Sequence, residues 1–158
     1  MECTESEARK KLNEYFDEVD KQYEYLSQSG VEYILSDIPM YYKKAVTLKD
    51  DEQRKLELTI LKLTKWAVQN VKIGWRDSSS LTSGGGFVFQ YLGEVLDSAC
   101  PHFKGKSKVD KIVNNHREHL NKRRSELAKS ELHTKNVFPE DHIQTEVEIL
   151  NSLINELE

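Results

Sequence analysis

Residues 51–75, DEQRKLELTILKLTKWAVQNVKIGW, decide the fold class. Leu56, Ile60, Leu63, Ala67 and Val71 recur at steps of three and four, and Leu61, Val68 and Trp75 make a second stripe beside them. Both stripes carry the helical period, since positions three and four apart share a helix face, whereas a strand alternates at every second residue. The polar arc of Lys62, Lys65, Gln69 and Lys72 is narrow. A helix so widely apolar needs neighbours on two or three sides. Asp50, Asp51 and Glu52 place negative charge at its start, which suits the helix dipole. This segment is predicted to be the central helix of a bundle, with Trp66 and Trp75 in the core.

Upstream, Ala8, Leu12, Tyr15, Phe16, Val19, Tyr23 and Leu26 fall on one stripe, opposite Glu14, Asp17, Glu18, Lys21 and Glu24. Thr4 with Glu7 three residues later has the form of a capping box. Ser29-Gly30 is expected to stop this first helix, as glycine often does. Pro39 fits the first turn of a helix, where its missing N–H costs nothing, with Asp37 as the cap. A short helix is therefore predicted from about Ile38 to Leu48, after a turn or extended bridge at Tyr33-Ile34-Leu35.

Downstream, residues 77–86, DSSSLTSGGG, hold one large apolar residue, and their composition predicts a flexible loop. Phe87, Val88, Tyr91, Leu92, Val95, Leu96, Ala99 and Cys100 then form a compact apolar helix ended by Pro101. A fifth helix, over about 107–132, has Val109, Ile112, Val113, His116, Leu120 and Leu127 inward. The last, over about 139–157, repeats Ile143, Val147, Leu150, Ile154 and Leu157 at four- and three-residue steps. The expected architecture is an all-α, single-domain bundle of five to six helices across residues 1–158 with a flexible Ser/Gly loop in its middle.

Composition agrees. The chain has 158 residues, 37% hydrophobic and 32% charged, enough apolar material for one domain with a charged surface. No apolar run reaches the length that crosses a bilayer. The acidic, polar start lacks the basic and apolar regions of a signal peptide, and two cysteines make no disulfide framework. These features point to an intracellular protein, cytoplasmic or nuclear, without membrane attachment.

The net charge of −4 conceals sorting along the chain. Residues 104–135 hold ten bases and four acids, while residues 139–158 hold six acids and no base. Either the basic helix lies beside the acidic last helix and the two cancel, or Lys104, Lys106, Lys108, Lys111, Lys122, Arg123 and Arg124 make a face for phosphates or an acidic partner. Cancellation is the favoured expectation. The run Asn121-Lys122-Arg123-Arg124 is too short to read as a nuclear localisation signal.

Candidate chemistry is sparse. Cys100, His102, His116 and His119 are the nearest thing to a zinc set, but His116 sits on an apolar stripe, where a hydrogen-bonded core histidine is commoner. No bound metal or cofactor is expected. Cys100 lies at a helix C-terminus, where the dipole disfavours a thiolate, and Cys3 sits in an acidic tail. After the glycines at 84–86 come Phe87-Val88, where a phosphate loop needs Lys and then Ser or Thr. No catalytic residue is assigned.

Dense tyrosines at 23, 25, 33, 41 and 42 favour a binding surface instead. Tyr41 and Tyr42 are candidate partner-binding residues. On the last helix, Ile149 and Leu153 widen the apolar seam beyond what one core face needs: either both strips pack within the chain, against the first helix and the fifth, which is the favoured expectation, or Ile149 and Leu153 are a candidate docking or self-association strip. The expected function is a non-enzymatic adaptor or scaffold domain that binds a partner protein or peptide, or itself. The alternative is a nucleic-acid-binding domain that uses the basic 104–124 face.

Overall fold

The computed structural model describes the backbone of residues 3–70, 85–129 and 140–158, with side chains over 3–70, 88–119 and 142–158. Its elements are α1 (Glu5–Gln22), a 3-10 turn at Tyr23–Tyr25, α2 (Gln28–Ala45), α3 (Asp50–Asn70), α4 (Gly85–Ala99), α5 (Lys106–Lys129) and α6 (Glu140–Leu157). Among the described residues there are six α-helices and no strand, so the chain forms the all-α bundle its periodicity predicts. Trp75 and residues 77–84 of the predicted loop lie outside the described residues. Gly85 and Gly86, expected in the loop, open α4 instead.

Helices α1, α2, α4 and α3 close one ring around a core, and α3, α4, α5 and α6 close a second. The two rings share α3 and α4. That sharing is why α3 is apolar on so much of its surface: Leu56, Ile60, Leu61, Leu63, Trp66, Ala67 and Val68 are all buried. The acidic last helix packs chiefly along α3 and touches α5 far less, in part through a buried hydrogen bond, which is not the side-by-side pairing expected of neighbouring helices.

Local chemistry sets the starts of the helices. Thr4 Oγ1 accepts the Glu7 N–H at 3.1 Å and caps α1. At the start of α3, Glu52 Oε1 accepts the Lys49 N–H at 3.0 Å, Arg9 Nη2 donates to the same oxygen at 2.6 Å, and Asn13 Nδ2 donates to Oε2 at 2.8 Å. One buried carboxylate thus satisfies a helix end and ties α1 to α3.

The boundary between the first two helices differs from expectation. Helix α1 ends at Gln22, and α2 begins ten residues before the predicted start at Ile38. Ser29-Gly30 is not a stop. Ser27, in extended conformation, accepts the Gly30 N–H at 3.1 Å, so Gly30 belongs to the first turn of α2. Pro39 is inside the helix. An interior proline costs about 3 kcal/mol, but Val31, Ile34, Leu35 and Ile38 are fully or nearly fully buried on the same helix, and each such side chain contributes roughly 1.5–3 kcal/mol. Burial wins.

Candidate functional site

Four large apolar side chains are exposed among the described residues, and all belong to α2 or its flanks: Tyr25 at 86%, Tyr33 at 62%, Met40 at 44% and Val46 at 68%. Tyr33 and Met40 are seven residues apart, so they project within about 20° of each other and roughly 10 Å apart along the axis. They point away from the face that buries Val31, Ile34, Leu35 and Ile38. Helix α2 is covered by α1 and α4 on its inner sides. Among the described residues, nothing covers its outer strip.

The sides of this strip are firmly built. Tyr15 of α1 is buried, and its hydroxyl donates to Asp37 Oδ2 at 2.5 Å. Tyr33 meets the Tyr15 ring edge-on with centroids 6.5 Å apart, Tyr41 lies tilted at 6.3 Å, and Lys11 Nζ sits 5.8 Å from the same ring centre. Burial, then the bond to Asp37, raises the Tyr15 phenol well above its ordinary range. Tyr41 and Tyr42 are half-buried against the core: Tyr41 borders the strip, whereas Tyr42 projects with Leu35 and Ile38 on the opposite, inner side of α2. Glu32, on the opposite flank, carries a carboxyl raised by burial against a hydrogen bond from Gln28 that lowers it. Its Oε1 is closed off from solvent without a hydrogen-bond partner.

Val46 closes α2 in an unusual way. Its φ of 63° and ψ of −59° lie outside the regions a β-branched residue favours. The Thr47 N–H donates to the Ala45 carbonyl at 2.7 Å across it, which makes a γ-turn of the strained hand.

The other candidate sites are placed differently. Leu153 is only 6% exposed, and its Cδ2 lies 2.8 Å from where a side-chain carbon on Gly105 would stand. Ile149 is half-buried against the core. The apolar strip on α6 that looked surplus is covered within the chain, because α3 and the Phe103–Gly105 turn approach it from a side the linear order does not suggest.

Lys104, Lys108 and Lys111 are exposed. Lys106 donates to Asp97 at 2.9 Å and to Asp110 at 2.7 Å, and these bonds raise its pKa. The side chains of Lys122, Arg123 and Arg124 lie outside the described residues.

The histidine–cysteine set is dispersed. Helices α4 and α5 run antiparallel, with His116 stacked on Phe89 at 4.7 Å, so Cys100 is about three helical turns from His116 along α4. His102 is exposed. Among the described residues no group of three or more His, Cys, Asp and Glu side chains is gathered to hold a metal ion. Burial, then the nearby Glu57 carboxylate, pushes the Cys100 thiol up to about 12. His116 Nε2 instead shares a hydrogen bond with Glu146 Oε1 at 2.6 Å, both side chains buried.

A shallow cleft between α1, α3 and the end of α6 holds Asp17, Asp20, Arg54, Lys55, Lys62 and Glu158. Lys62 bonds Asp20 at 2.8 Å and depresses its carboxyl, while Arg54 donates to the Leu157 carbonyl at 2.8 Å. Arg54 and the Lys62–Glu158 pair at 3.8 Å clasp the end of α6 to α3, while the Lys62–Asp20 bond ties α1 to α3.

The sequence counted Tyr33 among its dense tyrosines but singled out Tyr41 and Tyr42, and it missed Met40. The signal existed: two large apolar residues at a seven-residue interval, off the core stripe of α2. It became visible only once α2 was known to run through Pro39. No protein-family model, curated protein or solved structure matches the chain. No described helix is long and apolar enough to cross a membrane.

Proposed function

We propose that the chain is a non-enzymatic helical interaction module whose docking face is the outer strip of α2. One observation carries this reading: the four exposed large apolar side chains among the described residues cluster on one element and its flanks. Scattered exposed apolar residues need no explanation, but a clustered set rimmed by polar groups marks an interaction site. The rigid tyrosine and aspartate packing beneath the strip supports the reading, since a docking face gains affinity when it is ordered in advance.

The test is association of the full chain with protein partners, compared between wild type and Tyr33→Glu/Met40→Glu. The double variant is expected to keep its helical circular dichroism and lose partner capture. Unchanged capture would overturn the docking face. A nucleic-acid-binding domain using Lys104, Lys108 and Lys111 predicts something else, a steep loss of RNA or DNA affinity between low and physiological salt. That result with the α2 variant unaffected would replace the present reading.

A further inference from the structure

We infer that the occupant of the α2 face is a second copy of this chain, docked antiparallel about a twofold axis that crosses the helix beside Ser36 and Asp37. The inference rests on the docking-face reading above and names its partner.

Three features of α2 are self-complementary about that one point. The first is apolar. An axis between Ser36 and Asp37 sets Tyr33 opposite Met40 of the partner copy and Met40 opposite Tyr33, a sulfur–aromatic contact made twice. The same axis brings Tyr25 toward Val46 of the partner copy. The two exposed large apolar residues within α2 itself are thereby covered by one operation.

The second feature is charge. The acids Glu24 and Glu32 occupy the first part of this segment, and the bases Lys43, Lys44 and Lys49 occupy the last, while Asp37, at the axis, is bound to the Tyr15 hydroxyl of its own chain. Antiparallel packing lays the acidic half of each copy on the basic half of the other, whereas parallel packing sets like charges together. Glu32 and Lys43 are eleven residues apart, so they lie within about 20° on the same flank. In an antiparallel pair the same flanks face each other, which brings Glu32 within side-chain reach of Lys43 of the partner copy. Among the described residues Glu32, Lys43 and Lys44 form no ion pair in their own chain.

The third is room at the axis. Ser36 is small and exposed, and its hydroxyl already donates to the Tyr33 carbonyl at 2.9 Å, while the Asp37 carboxylate beside it is held by the Tyr15 hydroxyl at 2.5 Å. A twofold contact of this kind closes on itself and yields a dimer, not a filament.

Sedimentation velocity on the full chain over a concentration series tests this. Wild type is expected to pass from monomer to dimer, with no larger species. Glu32→Lys and Lys43→Glu, taken singly, each set like charges together twice and are expected to weaken self-association roughly tenfold or more. Mixed in equal amounts, the two variants are expected to form a heterodimer at wild-type strength, because each of the two symmetric contacts then again joins one lysine to one glutamate. Circular dichroism of each variant should match wild type, so loss of dimer is separable from loss of fold. A wild type that stays monomeric at every concentration, a dimer insensitive to Tyr33→Glu, or a mixture that fails to rescue would each overturn the inference. A monomeric wild type that still captures another protein through Tyr33 and Met40 would overturn it while leaving the docking face intact.

Discussion

Val46 is the residue at which conformation and exposure conflict most openly. A β-branched side chain at positive φ is held there against a cost of order 1–3 kcal/mol, and strain of this kind tends to persist at functional positions. Here the same residue is exposed, at the end of the proposed docking face. Val46→Gly removes the steric part of that cost and adds some unfolded-state entropy. It is expected to raise stability by about 1 kcal/mol, seen as a higher denaturation midpoint at unchanged slope, while weakening self-association. Glu52 is the opposite case, a residue whose chemistry is fully used. Its bond to Arg9 first, then those from Asn13 and the Lys49 N–H, hold its carboxyl at about 2, from an ordinary 4.5. A carboxyl depressed in the folded state stabilises the fold at any pH above its unfolded value, and that contribution fades as pH falls from about 4.5 toward about 2. Wild type should therefore lose stability across this window more steeply than Glu52→Gln. Parallel acid profiles for the two proteins would contradict the assignment.

At the scale of single helices, two glycines with similar surroundings are predicted to respond to alanine in opposite directions. Gly93 lies within α4, and a side-chain carbon there would stand 3.2 Å from Arg117 Nη1 and 3.8 Å from Val113 Cγ1. The tighter neighbour is the tip of a long flexible side chain that can move aside. Replacing an interior helical glycine gains roughly 0.5–1 kcal/mol, so Gly93→Ala should stabilise. Gly105 leads into α5, and its added carbon would meet Leu153 Cδ2 at 2.8 Å, Leu153 Cδ1 at 3.1 Å and Phe103 Cζ at 3.1 Å. Both residues are buried, so nothing yields cheaply, and Gly105→Ala should cost about 1–3 kcal/mol. Equal effects in thermal melts would sink the distinction.

Most of the helices were legible in the sequence because their apolar stripes are long and their period unambiguous. The α1–α2 boundary was not. Glycine after serine reads as a stop when the pair follows a helix, yet the same pair opens the next helix when Ser27 turns its hydroxyl onto the Gly30 N–H. Pro39 compounded the error, since local propensity assigns it to a first turn and only tertiary burial of Val31, Ile34, Leu35 and Ile38 carries the helix through it. The exposed strip of α2 depends on that continuity. Half a helix beginning at Ile38 has no Tyr33 to pair with Met40.

For the molecule as a whole, the instructive junction is the one between α5 and α6. Most of α6 is held by apolar packing on α3 and by clasps at its end, through Arg54 to the Leu157 carbonyl and Lys62 to Glu158. Against α5, its described polar anchor is the buried His116–Glu146 hydrogen bond, with the imidazole stacked on Phe89. Charge sorting along the chain suggested that the basic and acidic helices meet as two solvated faces, but the bond that joins them is inside. A buried polar pair of this kind differs from a surface pair in its response to mutation. Removing one partner takes this buried bond from the other, which costs about 1–3 kcal/mol, whereas replacing both with apolar residues of similar size is often close to neutral. Glu146→Leu and His116→Leu are each expected to destabilise markedly, and the double replacement to cost much less than their sum. The coupling should reach about 2 kcal/mol in a double-mutant cycle read from denaturant unfolding. Additive single effects would mean that packing on Phe89 and α3 holds α6 in place and that the hydrogen bond does not.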